Sequence, residues 1–161
     1  MEFQDALSPT PTPVQFETVR DVLVRKGRGV WTIAPEATVY DAIAMMDERR
    51  VGALIVVQQG RVAGVISERD YARKVILKGR SSRDTLVGEI MTADVISARE
   101  DARVDECLQR MTLHRIRHLP VLDGEQLAGL VSIGDLVSSV LRSQAAAVEH
   151  LTSYVTGSYP R

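Results

Sequence analysis

The chain contains one segment twice, and no other feature limits its possible folds as tightly. Moving the sequence along itself by 65 positions sets Val39 on Val104, and that register runs without a gap to Ile76 on Leu141. Ten of the 38 aligned pairs are identical, among them Met46/Met111, Arg50/Arg115, Gly64/Gly129, Ser67/Ser132 and Asp70/Asp135. Ordinary composition would give roughly two or three. The 161 residues hold one ordinary domain or two small half-domains that share a core, since a unit much below about 60 residues buries too little surface to stand alone. The two copies should therefore pack on each other as a pseudo-two-fold pair.

Periodicity gives each copy the same elements. Val39, Ala42, Ile43 and Met46, and again Val104, Cys107, Leu108 and Met111, recur at i, i+3, i+4 and i+7, the stripe of an amphipathic helix. Apolar runs at 53–57 and 62–66, and at 119–122 and 127–131, predict a two-stranded hairpin in each copy. Asp123-Gly124 supplies the second turn. Ser67 and Ser132 are placed to cap a following helix, and short strands are expected at 30–33 and 95–96. The fold class is mixed α/β (α+β), with strand–helix–strand–strand–helix occurring twice. The expected division is a flexible lead-in at 1–17 carrying Pro9, Pro11 and Pro13, a first domain at 18–84, a second at 85–142, and a helical extension and tail at 143–161.

Charge and cysteine content narrow the function classes. Lys+Arg 20 against Asp+Glu 21 gives a net charge of -1, a poor footprint for a nucleic-acid binder that neutralises many phosphates. A small phosphorylated ligand needs only a few local cations. The single cysteine, Cys107, forms no internal disulfide and no paired-cysteine metal site, and its place on the apolar stripe reads as core. No apolar run reaches the ~20 residues that cross a bilayer, and the acidic start fits neither a secretory signal nor an Arg-rich transit peptide. The expectation is a cytoplasmic protein without membrane or nucleic-acid partners. His114 and His150 lack spaced partners for a metal or triad, so no enzyme is expected.

The repeated Gly-x-x-Ser-x-x-Asp spacing, Gly64 to Asp70 and Gly129 to Asp135, has two physical readings. Ser67 and Ser132 can be plain caps, with the aspartates as first-turn acids that favour the helix dipole. Alternatively, glycine admits a ligand or backbone closely, serine meets a phosphate or ribose oxygen near the helix start, and aspartate accepts from a ribose diol. The two roles are compatible. Arg115, Arg117 and His118 form a possible anion site at a strand entrance, whereas the first-copy counterparts of the last two are Gly52 and Ala53. Conversely, Arg69, Arg73, Lys74, Lys78, Arg80 and Arg83 enrich the end of the first copy, where Gly134, Ser138 and Ser139 replace the first three in the second. Any two pockets should differ, and the alternative for the cationic helix is a solvated face.

The sequence resembles the CBS (cystathionine-beta-synthase-type) domain family in its paired, Bateman-module form, from about Thr18 to Val140. The resemblance rests on Gly64-Val65-Ile66-Ser67-Glu68-Arg69-Asp70, on Gly129-Leu130-Val131-Ser132-Ile133-Gly134-Asp135, on Gly88-Glu89-Ile90-Met91-Thr92, and on Arg115 to Val121. The small stand-alone pairs of bacteria and plant organelles are the more similar subgroup, through Ser67 to Lys74 and the ending Tyr154-Val155-Thr156-Gly157-Ser158-Tyr159-Pro160. It implies a regulatory sensor of AMP, ADP, ATP or NAD, with S-adenosylmethionine possible, that requires no cofactor and acts on a separate protein. A scaffold with vestigial pockets is the alternative. It also implies ribose contacts from Asp70 and Asp135 beside Ser67 and Ser132, phosphate contacts at Arg117 and His118, and backbone contacts to the base near Ile116, Val51 and Ala53. Arg115 and Arg69 complete the candidate set. Leu136, Val137, Val140 and Leu141, continued by Ala145-Ala146-Ala147-Val148 and Leu151, give the last helix a surplus of apolar surface, so a homodimer is expected.

Overall fold

A computed structural model describes residues 16–155, apart from the side chain of Tyr154. Residues 1–15 of the lead-in at 1–17, and the last six residues, lie outside the described part. Two three-stranded sheets, ordered β1-β2-β3 and β4-β5-β6, carry the repeat. In the first copy β1 (Thr32–Ile33), α2 (Val39–Arg49), β2 (Ala53–Gln58), β3 (Arg61–Ser67) and α3 (Glu68–Tyr71) follow one another, and a π-helical turn continues α3 over Ala72–Ile76. In the second, β4 (Ala98–Arg99), α5 (Val104–His114), β5 (His118–Asp123), β6 (Gln126–Ser132) and α6 (Ile133–Val155) repeat the order, with α6 a single α-helix. Each sheet has one parallel and one antiparallel pairing, and the hairpins share a register shift at Val56/Val57 and Val121/Leu122. The mixed α/β architecture of two packed copies is thus the one the periodicity implies.

The opening strand of the first copy is shorter than expected, and that of the second is displaced. Residues 95–96 form no strand; β4 lies at Ala98–Arg99, where Ala98 pairs with Val121 as Ile33 pairs with Val56. Pairing geometry overrides β-propensity here: Ile96 leaves the sheet and packs against the second core instead.

Two further helices cross between the copies. Helix α1 (Val19–Lys26) starts at a capping box of Thr18 and Asp21 and buries Val19, Val22 and Leu23 among Cys107, Met111, Leu119, Val131 and Leu136 of the second copy. Helix α4 (Val87–Ile90) buries Val87 and Ile90 among Val39, Met46, Leu54 and Ile66 of the first. Thr18 bridges to Arg103 and Thr38 to Leu86, so each crossing helix begins against the start of the other copy's long helix. Each core is therefore closed by a helix that precedes the opposite copy. The motif glycines mark these crossings. A Cβ on Gly64 would come within 2.8 Å of the Thr92 carbonyl oxygen and 2.7 Å of the Met91 sulfur. One on Gly129 would meet the Leu23 side chain at 2.7 Å. Close approach is the reason for both glycines, and what approaches is the chain itself.

Candidate functional site

The turn from β3 into α3 carries Ser67 and Asp70. Asp70 Oδ2 accepts from the Ser67 N–H and hydroxyl, each at 2.9 Å, while Ser67 Oγ accepts from the Asp70 N–H at 3.2 Å. At the start of α6 the Ser132 N–H reaches Asp135 Oδ2 at 2.7 Å and the Asp135 N–H reaches Ser132 Oγ at 3.1 Å. Both serine–aspartate pairs are helix caps. The N–H groups of Glu68 and Ile133, next in line, donate to the carbonyls of Gly52 and Arg117 at 3.1 and 2.9 Å. These helix starts thus satisfy most of their own donors, which weakens the expectation that a phosphate sits on them.

Each aspartate also holds a lysine. Lys74 Nζ lies 2.9 Å from Asp70 Oδ1 and donates to the Ile90 carbonyl at 2.7 Å; Thr92 Oγ1 is 3.4 Å from the same oxygen. Lys26 Nζ, at the end of the crossing helix α1, lies 2.7 Å from Asp135 Oδ2 and 2.8 Å from the Leu130 carbonyl. Burial raises the Asp135 pKa, but the Lys26 ammonium and the Ser132 N–H outweigh it and hold the carboxyl below its usual range. Lys26 and the Ser132 N–H both fall on Asp135 Oδ2, whereas both Asp70 oxygens are engaged, Oδ2 by Ser67 and Oδ1 by Lys74 and Thr92.

Two cavities open at these carboxylates, and each is built from both copies. The larger, about 510 Å³, is lined by Ser67, Arg69, Asp70, Arg73 and Lys74 of the first copy, by Thr92 to Ile96 except Ala93, and by His114, Arg115, Ile116, Arg117 and His118 of the second. The smaller, about 310 Å³, joins Ser132, Asp135 and Lys26 to Arg50, Val51, Gly52 and Ala53 of the first copy. All eleven residues singled out in the sequence line one cavity or the other. The sequence did not reveal the exchange: the Arg117 strand faces Asp70, and Val51 and Ala53 face Asp135. His118 and Gly52 line both cavities and form the wall between them.

The charge on this wall differs from the expectation. Desolvation pushes the His118 pKa down, with Lys26 and Arg117 adding to the effect and Asp135 opposing it. At neutral pH His118 is therefore a neutral donor, and only Arg115 and Arg117 supply charge at that strand entrance. Repeated Arg50 and Arg115 have a further role. Both close their helices in the left-handed region, at φ 53° and 54°, positions more often given to Gly or Asn, so no residue-type signal pointed to them. Of the first-copy cations, Arg80 pairs with Glu89 at 2.7 Å and Arg83 stacks on Tyr40; neither lines the larger cavity. Lys26 and Thr92 were missed because their positions fall outside the aligned repeat. Cys107 is buried in the second core, and burial raises its thiol pKa, as its place on the apolar stripe suggested. Among the described residues no three His, Cys, Asp or Glu side chains gather to hold a metal, and no helix is long and apolar enough to cross a membrane.

Comparison with known proteins places these features in a family. The model of the CBS domain matches residues 19–76 and 87–142. The mitochondrial CBS domain-containing protein CBSX3 of Arabidopsis thaliana is 42% identical over 151 residues, 88% of this chain and 73% of that one. A solved CBS-domain protein from Burkholderia ambifaria MC40-6 is 52% identical, with a TM-score of 0.77 over 80% of this chain and 96% of its own. The CBS domain pair of protein MJ0100, solved with 5′-methylthioadenosine and S-adenosyl-L-methionine, has a TM-score of 0.71 at 25% identity, over 81% and 99% of the two chains.

Proposed function

The chain belongs to the CBS-domain family, and from that premise we propose that this CBS-pair module senses an adenosine nucleotide and passes the signal to a separate protein. The observation that carries the reading is the pairing of a capped aspartate in one copy with the strand entrance of the other, twice. A ligand in either cavity touches both copies, so binding energy converts directly into their relative fixation. Ser67 and Asp70 with Ile116 and Arg117, and Ser132 and Asp135 with Val51 and Ala53, are the proposed ribose, base and phosphate contacts. A solved relative at 25% identity holds adenosine-containing ligands, which supports the ligand class. The protein works in the cytoplasm as a homodimer and catalyses no reaction in this reading.

Calorimetry with adenosine, AMP, ADP, ATP, NAD and S-adenosylmethionine tests it. Asp70→Ala and Asp135→Ala should each weaken binding at their own cavity by about 1.5–3 kcal/mol, the scale of a hydrogen bond to a charged group. Unchanged affinity in the folded double variant would return both aspartates to capping alone. Absence of any adenosine ligand would leave an interaction scaffold.

A further inference from the structure

The larger cavity collects cations that the smaller one lacks. Arg69 and Arg73 reach it from the exit helix of the first copy, and Arg115 and Arg117 from the strand entrance of the second. None of these four guanidinium groups has a carboxylate within ion-pairing distance among the described residues. Arg69 is fixed by donating Nη1 to the Arg115 carbonyl at 2.9 Å, a bond that crosses between the copies. Glu68 and Asp94 line the same cavity, so its charge is mixed, with the unpaired forks in excess. In the smaller cavity Lys26 is committed to Asp135 and to a backbone carbonyl, which leaves Arg50 as the single unpaired cation among its described residues.

A solvated helix face would explain Arg69 and Arg73 taken alone. It does not explain why unpaired arginines from two distant segments meet across one concavity, at positions where the other copy has Gly134, Ser138, Arg50 and Gly52. Guanidinium forks match phosphate oxygens in pairs. A single phosphate presents too few oxygens for four such groups, and linked phosphates present enough. A sulfonium ligand places a positive charge against the same groups, and like charges at close range are rejected.

We propose that the larger cavity selects adenosine ligands with two or more linked phosphates over the monophosphate, and disfavours S-adenosylmethionine, with Arg73 as a specificity-determining residue. The proposal rests on the nucleotide-sensing reading above. Calorimetry at fixed ionic strength, with ATP, AMP, adenosine and S-adenosylmethionine against the full chain and against Arg73→Ala, tests it. ATP should bind the unaltered protein about tenfold or more tightly than AMP, and S-adenosylmethionine more weakly than adenosine. Arg73 is exposed, so the variant should fold, and in it the ATP advantage should fall severalfold while adenosine affinity stays within about twofold. AMP binding as tightly as ATP, or an Arg73→Ala loss equal for ATP and adenosine, overturns the proposal and leaves the nucleotide reading standing. Failure of all four compounds, and of ADP and NAD beside them, to bind sinks both.

Discussion

The two copies share a backbone and diverge at the same few places. Both have a hairpin with the same register shift, a long helix closed by a left-handed arginine, and a serine–aspartate cap facing the other copy. They part after the cap. In the first copy the exit helix turns π-helical and carries Arg69, Arg73 and Lys74; in the second it continues for 23 residues, without charge at those positions. Duplication fixes the scaffold, and the residues just beyond the aspartate set what each half does with it. The first copy contributes charge to a cavity, and the second contributes a surface.

That surface gives the largest test of the comparison. Leu141, Val148, Leu151 and Val155 of α6 are 60–84% exposed. They recur at intervals of seven, three and four, the seam of a helix that packs on another. The proposed homodimer, if it forms through α6, should break in Leu141→Glu combined with Leu151→Glu. Two interface anchors worth about 2 kcal/mol each would weaken association about a thousandfold, read by light scattering across the micromolar range. Leu77, 77% exposed at the end of the first copy, has no helical extension behind it, so Leu77→Glu should leave the dimer intact. Equal disruption by both would mean that the two copies share the contact and the division of labour is wrong. An unaltered protein that runs as a monomer would remove the interface altogether.

A smaller effect separates the two crossings. Gly64→Ala pushes a methyl against the Thr92 carbonyl, a backbone atom held by the reciprocal bonds of Val65 and Thr92 at 3.0 and 2.9 Å. Gly129→Ala meets only side-chain atoms of Leu23, its methyls and their branch carbon, which can shift within the core without displacing backbone. Overpacking costs about 1–3 kcal/mol, with Gly64→Ala expected at the upper end and Gly129→Ala at the lower, as measured by urea denaturation. The reverse order would show that the Leu23 contact is the more rigid of the two.

The sequence disclosed what repeats and concealed what crosses. Helix stripes, hairpins and caps are local, so Val39 to Met46 and Ser67 to Asp70 were legible from spacing alone. The exchange of α1 and α4 is long-range: Leu23 and Val87 read as ordinary apolar residues, and their partners lie in the opposite copy. For the same reason the candidate residues could be named from the sequence but not sorted into cavities: only the fold sets Arg117 with Asp70, and Val51 and Ala53 with Asp135. Lys26 was illegible because a lysine at a helix end is ordinarily a dipole partner, and only the fold brings it to a carboxylate.

The smallest expected effect concerns the one titratable group on the wall between the cavities. His118 stands where the first copy has Ala53, and it faces Asp135, Lys26 and Arg117. Burial holds its folded pKa below the ordinary value of 6.5, with the two cations assisting and Asp135 opposing. The linkage sign follows: above about pH 6.5 neither state carries the proton, and no stability depends on it. As pH falls below 6.5 the unfolded chain takes up a proton that the native state resists, so stability is lost. Asp135 acts in the same direction in a lower window, because its depressed pKa contributes stability that disappears only as pH falls below the ordinary 3.8. His118→Gln should therefore flatten the fall in stability between pH 7 and pH 5.5 and leave the steeper acid limb unchanged. A phosphate bound beside Arg117 would favour the imidazolium and oppose its desolvation. AMP binding near pH 6 should then take up a fraction of a proton, seen as a dependence of the binding heat on the ionisation enthalpy of the buffer. His118→Gln should abolish that uptake. A variant that keeps the full uptake would assign the proton to the phosphate and place the nucleotide's negative end away from the shared wall.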